Sequence, residues 1–182
     1  MKICIDPGHG GADPGAVSGN VKEKDLNLAI AQKLLLLLYN KGHDIIMTRS
    51  NDIAVSLYER ANKANNFNAD IFVSIHNNAV SDEGVQGTET LFYPGSKQGE
   101  RLARLVQDEL VKKLQRPDRG IKPRRNLVVL KCTTMPAILA ECAFLSNPTE
   151  RKLLQDSGFQ HLAAEAIMEG IEAYFTEVRD EG

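Results

Sequence analysis

The segment Asp70–His76, DIFVSIH, decides the fold class, because it is almost continuously apolar and ends in a histidine. A run of this kind is typical of a strand covered on both faces, as strands are in α/β proteins. The shorter run Lys2–Asp6, KICID, is rich in isoleucine and leads into the glycine-rich stretch Pro7–Gly11. Both segments therefore predict strands, and the first predicts a central one.

Strand and helix patterns alternate along the rest of the chain. Further strands are predicted at Asp44–Thr48, Thr88–Tyr93, Leu127–Leu130 and Ala137–Glu141. Helices are predicted over Asp25–Asn40, from a capping box at Ser56 to about Asn66, over Gly99–Leu114, after a cap at Asn147, and from about Phe159 to Phe175. This order predicts an α/β fold with a single twisted, mostly parallel (mixed) sheet of about six strands and helices on both faces. We expect one domain over residues 1–182.

The composition excludes several classes of protein. With 22 Lys and Arg against 24 Asp and Glu, the net charge is −2, so no basic excess exists for binding a phosphate backbone. The longest aliphatic run, Leu34–Leu38, is far shorter than the ~20 apolar residues of a membrane helix. We therefore expect no nucleic-acid partner and no membrane insertion. We also expect a monomer.

The three cysteines, Cys4, Cys132 and Cys142, are odd in number. Apolar residues flank Cys4 and Cys142, and no CxxC motif or Cys/His pairing indicates a structural zinc site. We therefore expect buried free thiols.

Three residues with acid/base or metal chemistry follow predicted strands. His9 comes three residues after the first strand, His76 closes the Asp70 strand, and Glu141 closes the Ala137 strand. Ligands of open α/β sheets bind beyond the carboxyl ends of the strands, and hydrolytic zinc sites use three His or carboxylate ligands plus water. Each residue also has a structural alternative. His9 could be an ordinary loop histidine, His76 a buried hydrogen-bonded histidine, and Glu141 a member of a structural ion pair.

The spacing of residues does not identify the third ligand of such a zinc site. Asp13, Glu23 and Asp25 are all candidates, since they precede or begin the first predicted helix. Glu141 ends an apolar strand, where an unpaired carboxylate is costly, so it needs a cation or a metal-bound water as its partner. The glycine-rich stretch lacks the spacing of phosphate or dinucleotide loops.

Other charged residues are weaker candidates. His161 and Glu165 are spaced i, i+4 and indicate an exposed pair rather than a metal site. His43 follows a helix end and is expected on the surface. A loop of positive charge is predicted, which only weakly indicates an anionic polymer as a partner: Arg119, Lys122, Arg124 and Arg125.

Four strings in this order resemble the zinc-dependent N-acetylmuramoyl-L-alanine amidases of the amidase-3 type, over about residues 3 to 175. They are Asp6–Gly11 (DPGHGG), Glu23–Lys24, Ser74–Asn77 (SIHN), and Glu141 with Phe144–Asn147 (FLSN). The resemblance implies one zinc ion per chain, held by His9, Glu23 and His76, and a catalytic Glu141. It implies hydrolysis of the amide bond between the lactyl group of muramic acid and the L-alanine of the peptidoglycan stem peptide. The stretch Leu57–Ala61 is also similar to the family, and this similarity implies that Arg60 is structural or lies near the site and is not catalytic.

Two departures from the family pattern stand out. Cys142–Ala143 replaces a small residue, often glycine, before FLSN, and only nine residues separate Asn78 from Thr88, where regulated relatives insert a helix over the zinc. An open site is therefore expected. Alternatives are a non-catalytic wall-binding module of the same fold and another zinc hydrolase acting on muropeptides, such as a deacetylase or peptidase.

The resemblance also implies action on the cell wall, on its extracellular or periplasmic side. The segment before the first strand is too short for a signal peptide, so we expect either a trimmed leader or release of the phage type.

Overall fold

Six strands form one central sheet in the computed structural model, which describes residues 1–180. The strands of the chain are β1 (Lys2–Pro7), β2 (Val17–Ser18), β3 (Val21–Lys22), β4 (Asp44–Met47), β5 (Ile71–Asn78), β6 (Thr88–Phe92), β7 (Asp118–Pro123) and β8 (Ala137–Phe144). The order in the sheet is β4-β1-β5-β8-β6-β7, and β2 pairs with β3 in a separate hairpin. Strands β4, β1, β5 and β8 are parallel, whereas β6 is antiparallel to β8 and parallel to β7. The predicted mixed, mostly parallel sheet is confirmed.

Helices cover both faces of this sheet. They are α1 (Glu23–Asn40), α2 (Leu57–Phe67), α3 (Lys97–Leu114), α4 (Val128–Lys131), α5 (Pro148–Gln155) and α6 (Ser157–Asp180). The larger apolar core joins residues of α1, α3 and α6 to the sheet, and the smaller core joins α2 and α4 to it. None of the helices within residues 1–180 has the length and apolar character needed to cross a bilayer.

Local sequence signals fix the predicted helix starts. Ser56 and Glu59 form the expected capping box at α2, each side chain bonding to the other residue's backbone N–H. The Asn147 side chain accepts hydrogen bonds from the N–H groups of Thr149 and Glu150, and Pro148 occupies the first position of α5. Both helices therefore begin where the sequence predicts.

Two assignments from sequence were wrong. The segment Leu127–Leu130, predicted as a strand, contains the start of helix α4, with Val129 and Leu130 buried against the smaller core. A short apolar run does not distinguish a strand from a buried helical turn. The sixth strand is instead β7, DRGIKP, whose charged sequence gives no apolar pattern. Strands β5 and β8 also run past His76 and Glu141, to Asn78 and Phe144.

Two further expectations need correction. Cys4 and Cys142 are buried free thiols, and burial raises the pKa of each to about 12, but Cys132 is partly exposed. The His43 side chain is only 10% exposed rather than on the surface. Its Nε2 atom lies 2.5 Å from Glu172 Oε1, and its ring centroid lies 5.7 Å from that of Phe175, so the side chain packs against α6.

Replacing Gly170 by alanine should destabilise the fold by about 1–3 kcal/mol, because α6 crosses α3 at this glycine. A Cβ atom there would lie 2.5 Å from Val106 Cα, and backbone has no room to yield. The free energy of unfolding in urea measures the effect. Thr176→Ala, on the exposed side of the same helix, is the control and should change it by less than ~0.5 kcal/mol. A Gly170→Ala protein as stable as the parent would contradict the packing described here.

Candidate metal centre

The first imidazole of the site belongs to His9, in the loop that follows β1. Its backbone is left-handed, with φ of 61°. The preceding Gly8 has no side chain, and a Cβ atom at this position would lie 2.2 Å from the ring of His76. The glycine-rich loop therefore brings the two imidazoles together, with ring centroids 4.9 Å apart and ring planes at 78°.

The carboxylate of the site belongs to Glu23, the first residue of α1. The hairpin β2–β3 delivers the chain to this position. Glu23 Oε2 lies 3.1 Å from His9 Nε2 and accepts a hydrogen bond from Ala16 N at 2.9 Å. Glu23 Oε1 lies 2.9 Å from His76 Nδ1 and accepts hydrogen bonds from Asn27 Nδ2 and Asn77 N. Glu23 therefore lies between both imidazoles while its side chain is almost fully buried.

The donor atoms of His9, Glu23 and His76 all lie within 4.8 Å of one another, which is close enough for one metal ion to contact all three. Asp13 and Asp25 were the other candidates for the third ligand, and Asp25 is exposed on α1. Asp13 Oδ2 lies 2.8 Å from His9 Nδ1, on the opposite side of the ring from Glu23. Asp13 can therefore orient the imidazole without reaching the metal position.

The charges of the cluster are mutually dependent. Burial alone would raise the pKa of Glu23, but its hydrogen bonds to His76 and His9 outweigh burial and hold this pKa well below its usual range. Burial alone would lower the pKa of His9, but hydrogen bonds to Glu23 and Asp13 raise it above the ordinary value. In the absence of metal, an ionised carboxylate thus stabilises a protonated imidazole.

Glu141 lies beside this cluster on β8. Its register partner on β5 is His76, and its register partner on β6 is Glu89. The Glu141 Oε2 atom is buried and has no hydrogen-bond partner among the described residues. Burial, followed by the charges of Glu23 and Glu89, raises the pKa of Glu141 well above its usual range. A carboxyl group with these properties is suited to general acid/base chemistry.

A cleft opens beside the two imidazoles, with a volume of about 430 Å³. It lies between the start of α2 and the turn of α4, and its lining includes the apolar residues Val55, Leu57, Leu127 and Val128. The side chains of His9 and His76 are 25% and 17% exposed, so a molecule in the cleft can reach the cluster.

The chain matches a known protein family over most of its length. The sequence profile of a family described as N-acetylmuramoyl-L-alanine amidase matches residues 3–173 of the chain. The chain belongs to this amidase family. The resemblance stated from the sequence is thereby confirmed.

Relatives with solved or curated descriptions match along nearly the whole chain. The germination-specific N-acetylmuramoyl-L-alanine amidase of Bacillus subtilis (strain 168) is 35% identical over 192 residues, which cover 98% of this chain and 81% of the relative. The crystal structure of an N-acetylmuramoyl-L-alanine amidase from Clostridium difficile 630 is 40% identical, with a TM-score of 0.93 over 96% of each chain. The amidase AmiC2 of Nostoc punctiforme is 34% identical, with a TM-score of 0.92 over 97% of each chain.

Two buried arginines, Arg49 and Arg60, hold the loop of the site in place, and sequence reasoning did not identify the first of them. Arg49 follows β4 and is 2% exposed. It donates hydrogen bonds to the carbonyl oxygens of Pro7, Gly8 and Lys24, at 3.0, 2.9 and 2.8 Å. A single guanidinium therefore ties the loop that bears His9 to the start of the helix that bears Glu23.

Arg60 completes this arrangement from α2. It donates to Asp6 Oδ1 at 2.8 Å and to the carbonyl oxygens of Pro7, His9 and Val55. The side chain is therefore engaged by Asp6 and by backbone, as the sequence led us to expect of a structural residue. Arg49 could have been found from the sequence, because it follows strand β4 at the edge of the sheet where the other site residues lie.

The remaining candidates lie elsewhere. His161 and Glu165 form a 3.5 Å pair on α6, and the histidine is 51% exposed. The predicted loop of positive charge is instead largely strand β7, where Arg119 and Lys122 both contact Glu89.

Replacing Arg49 by lysine should lower the affinity of the His9–Glu23–His76 cluster for zinc by about 10-fold to 100-fold. A lysine ammonium lacks the planar fork that reaches three carbonyl oxygens. Competition with a chromogenic chelator measures the affinity, and circular dichroism checks the fold. Arg104→Lys, at an exposed position of α3, should bind zinc as the parent does. Unchanged affinity in the Arg49→Lys protein would show that the arginine does not position the cluster.

Proposed function

We propose that this amidase uses one zinc ion, held by His9, Glu23 and His76, to hydrolyse the bond between the lactyl group of muramic acid and L-alanine. The observation that carries the proposal is a His/Glu/His cluster with all donor atoms within 4.8 Å, beside a carboxyl group on the adjacent strand. Membership of the N-acetylmuramoyl-L-alanine amidase family supports peptidoglycan as the substrate.

The residues present fit a zinc ion. Two imidazoles and one carboxylate are a donor set typical of hydrolytic zinc sites, which leave a fourth position for water or substrate. The backbone also leaves space at the cluster. A Cβ atom at Gly15 would lie 2.5 Å from the ring of His9 and 2.6 Å from Glu23 Oε2. Asp13 and Asn27 bond to His9 and Glu23 and can hold both side chains in position.

Glu141 is proposed as the catalytic acid/base. Zinc supplies a Lewis acid that polarises the scissile carbonyl and makes water nucleophilic near neutral pH. The Glu141 carboxylate takes the proton of the attacking water and delivers it to the leaving nitrogen, since an amide nitrogen leaves poorly until it is protonated. Burial next to Glu23 and Glu89 makes Glu141 a stronger proton acceptor than an exposed glutamate.

The setting of this activity is part of the same proposal. The chain acts as a single catalytic domain and as a monomer, on the extracellular or periplasmic side of the membrane, where peptidoglycan lies. The predicted domain, 1–182, includes residues 181–182, which lie outside the described residues.

Replacing Glu141 by glutamine should leave zinc binding intact and reduce turnover by about 100-fold or more, because the amide cannot accept the proton. Replacing His76 by alanine should remove the metal itself. Zinc per chain, measured by atomic spectroscopy, and release of stem peptides from purified peptidoglycan, measured by mass spectrometry, distinguish the two defects.

Three results would contradict these roles. Glu141→Gln turning over like the parent would remove the glutamate from the mechanism. His76→Ala retaining stoichiometric zinc would move the metal elsewhere. Zinc-loaded parent protein that binds peptidoglycan and releases no stem peptide would favour a wall-binding module.

Zinc affinity should fall as the pH is lowered, because zinc requires a neutral His9 imidazole. The pKa of His9 is raised in the metal-free protein, despite burial, by hydrogen bonds to Glu23 and Asp13. Protons therefore begin to compete with zinc at a higher pH than they would at an ordinary histidine. Below the pKa of His9, the zinc affinity should fall about tenfold per pH unit for each proton that zinc displaces. Titrations in zinc buffers between about pH 8 and pH 5 test this. Asp13→Asn should move the onset of the loss to lower pH; the same onset in both proteins would contradict the assigned cause.

A further inference from the structure

A second charged cluster lies on the side of Glu141 away from the metal donors. Glu89, on β6, has a side chain that is 7% exposed. Its Oε2 atom accepts hydrogen bonds from Arg119 Nε at 3.2 Å and from Lys122 Nζ at 2.5 Å. Its Oε1 atom accepts a hydrogen bond from Asn78 Nδ2 at 3.1 Å. One buried carboxylate thus contacts both cationic side chains, and Arg119 also lies over the ring of Phe144, 5.0 Å from its centroid.

A β-bulge is what brings both cations to this carboxylate. Arg119 and Lys122 are three residues apart, so a regular strand would direct them to opposite faces of the sheet. The register between β6 and β7 shifts between Thr88 and Thr90, and Gly120 adopts a φ of 72°. Such bulges re-aim side chains and are rare in parallel pairs. The irregularity therefore places both cations on one face.

The two cations share one hydrogen-bonded carboxylate, that of Glu89. Two further buried carboxyl groups lie nearby. Glu141 is the cross-strand partner of Glu89, and Glu150 accepts hydrogen bonds from the backbone N–H groups of Gly87 and Phe144. The side chains of Arg119 and Lys122 are 35% and 30% exposed, and each has more N–H groups than its contact with Glu89 uses.

The cluster is also within reach of a bound substrate. Glu89 is the direct cross-strand partner of Glu141, and paired residues in antiparallel strands have Cα atoms about 5 Å apart. An extended peptide advances about 3.3 Å per residue. A chain that crosses the sheet from Glu141 towards β7 would therefore meet the two cations within one or two residues. The cleft between α2 and α4 is lined by His9 and His76, and its lining does not include Glu89, Arg119 or Lys122.

We propose that Arg119 and Lys122 form an anion subsite that binds a free carboxylate on the second residue of the stem peptide. The inference rests on the proposed amidase function, and it specifies in which direction the substrate lies across the site. The stem peptide lies over β6 and β7, and the muramic acid side of the scissile bond lies towards the cleft. Glu89 is a positioning residue that holds the two cations in place.

The test compares two muramyl tripeptides that are identical except at the second residue of the peptide. One carries a free α-carboxylate there, and the other a carboxamide. The parent protein should cleave the carboxylate substrate with a kcat/KM about tenfold higher, mainly through KM, since charged hydrogen bonds are stronger than neutral ones. Release of the tripeptide is measured by liquid chromatography with zinc-loaded protein.

Arg119→Gln and Lys122→Gln should each reduce this preference to about one, because Glu89 and the remaining cation then form a neutral pair. Only the carboxylate substrate should lose rate, so the carboxamide substrate reports on the fold and on the metal site. Arg125→Gln is the matched control. It removes the same charge from the exposed segment after β7 and should keep the preference.

Several outcomes would overturn the subsite. They are a parent protein with no preference, equal loss on both substrates in the Arg119 and Lys122 variants, and loss of the preference in Arg125→Gln as well. A zinc-loaded parent that cleaves neither tripeptide nor whole peptidoglycan would instead overturn the amidase function on which the subsite rests.

Discussion

One carboxylate held between two imidazoles is the contact on which the rest of the site depends. The Glu23 side chain is 6% exposed, and both of its oxygens lie near histidine nitrogens. A buried carboxylate is costly unless hydrogen bonds or opposite charges compensate. Backbone N–H groups of Ala16 and Asn77 supply part of that compensation. The hairpin before α1 and the irregular end of β5 are therefore part of the site, because they carry these groups.

The reversed direction of β6 and β7 is the second determinant of the site. In an all-parallel sheet, Glu89 would lie near the opposite edge, because it is close to the amino end of its strand. Antiparallel pairing of β6 with β8 instead sets Glu89 opposite Glu141. Strand reversal thus brings Glu89 and the two cations that contact it to the edge at which Glu141, on the parallel strand β8, lies beside His76. Metal chemistry and substrate recognition can therefore share one edge.

Much of the candidate site could be read from the chain because polar residues directly after apolar strands are informative. His9 follows such a strand, His76 and Glu141 lie near the carboxyl ends of theirs, and the structure places all three at one edge of the sheet. The choice among Asp13, Glu23 and Asp25 required the family resemblance, since all three lie near the start of α1. Strand β7 has no apolar pattern by which it could be predicted, because two of its residues, Arg119 and Lys122, form ion pairs with Glu89.

The sequence by itself determined the alternation of strands and helices, the helix caps and the residues able to bind a metal. These depend on local periodicity and on side-chain chemistry, which do not require a partner distant in the chain. Tertiary structure decided which carboxylate lies between the histidines, that Arg49 joins two ligand-bearing segments, and that a bulge directs Arg119 and Lys122 to Glu89. These features depend on contacts between segments that are distant in the chain, and the pattern of one segment does not specify which distant segment it will contact.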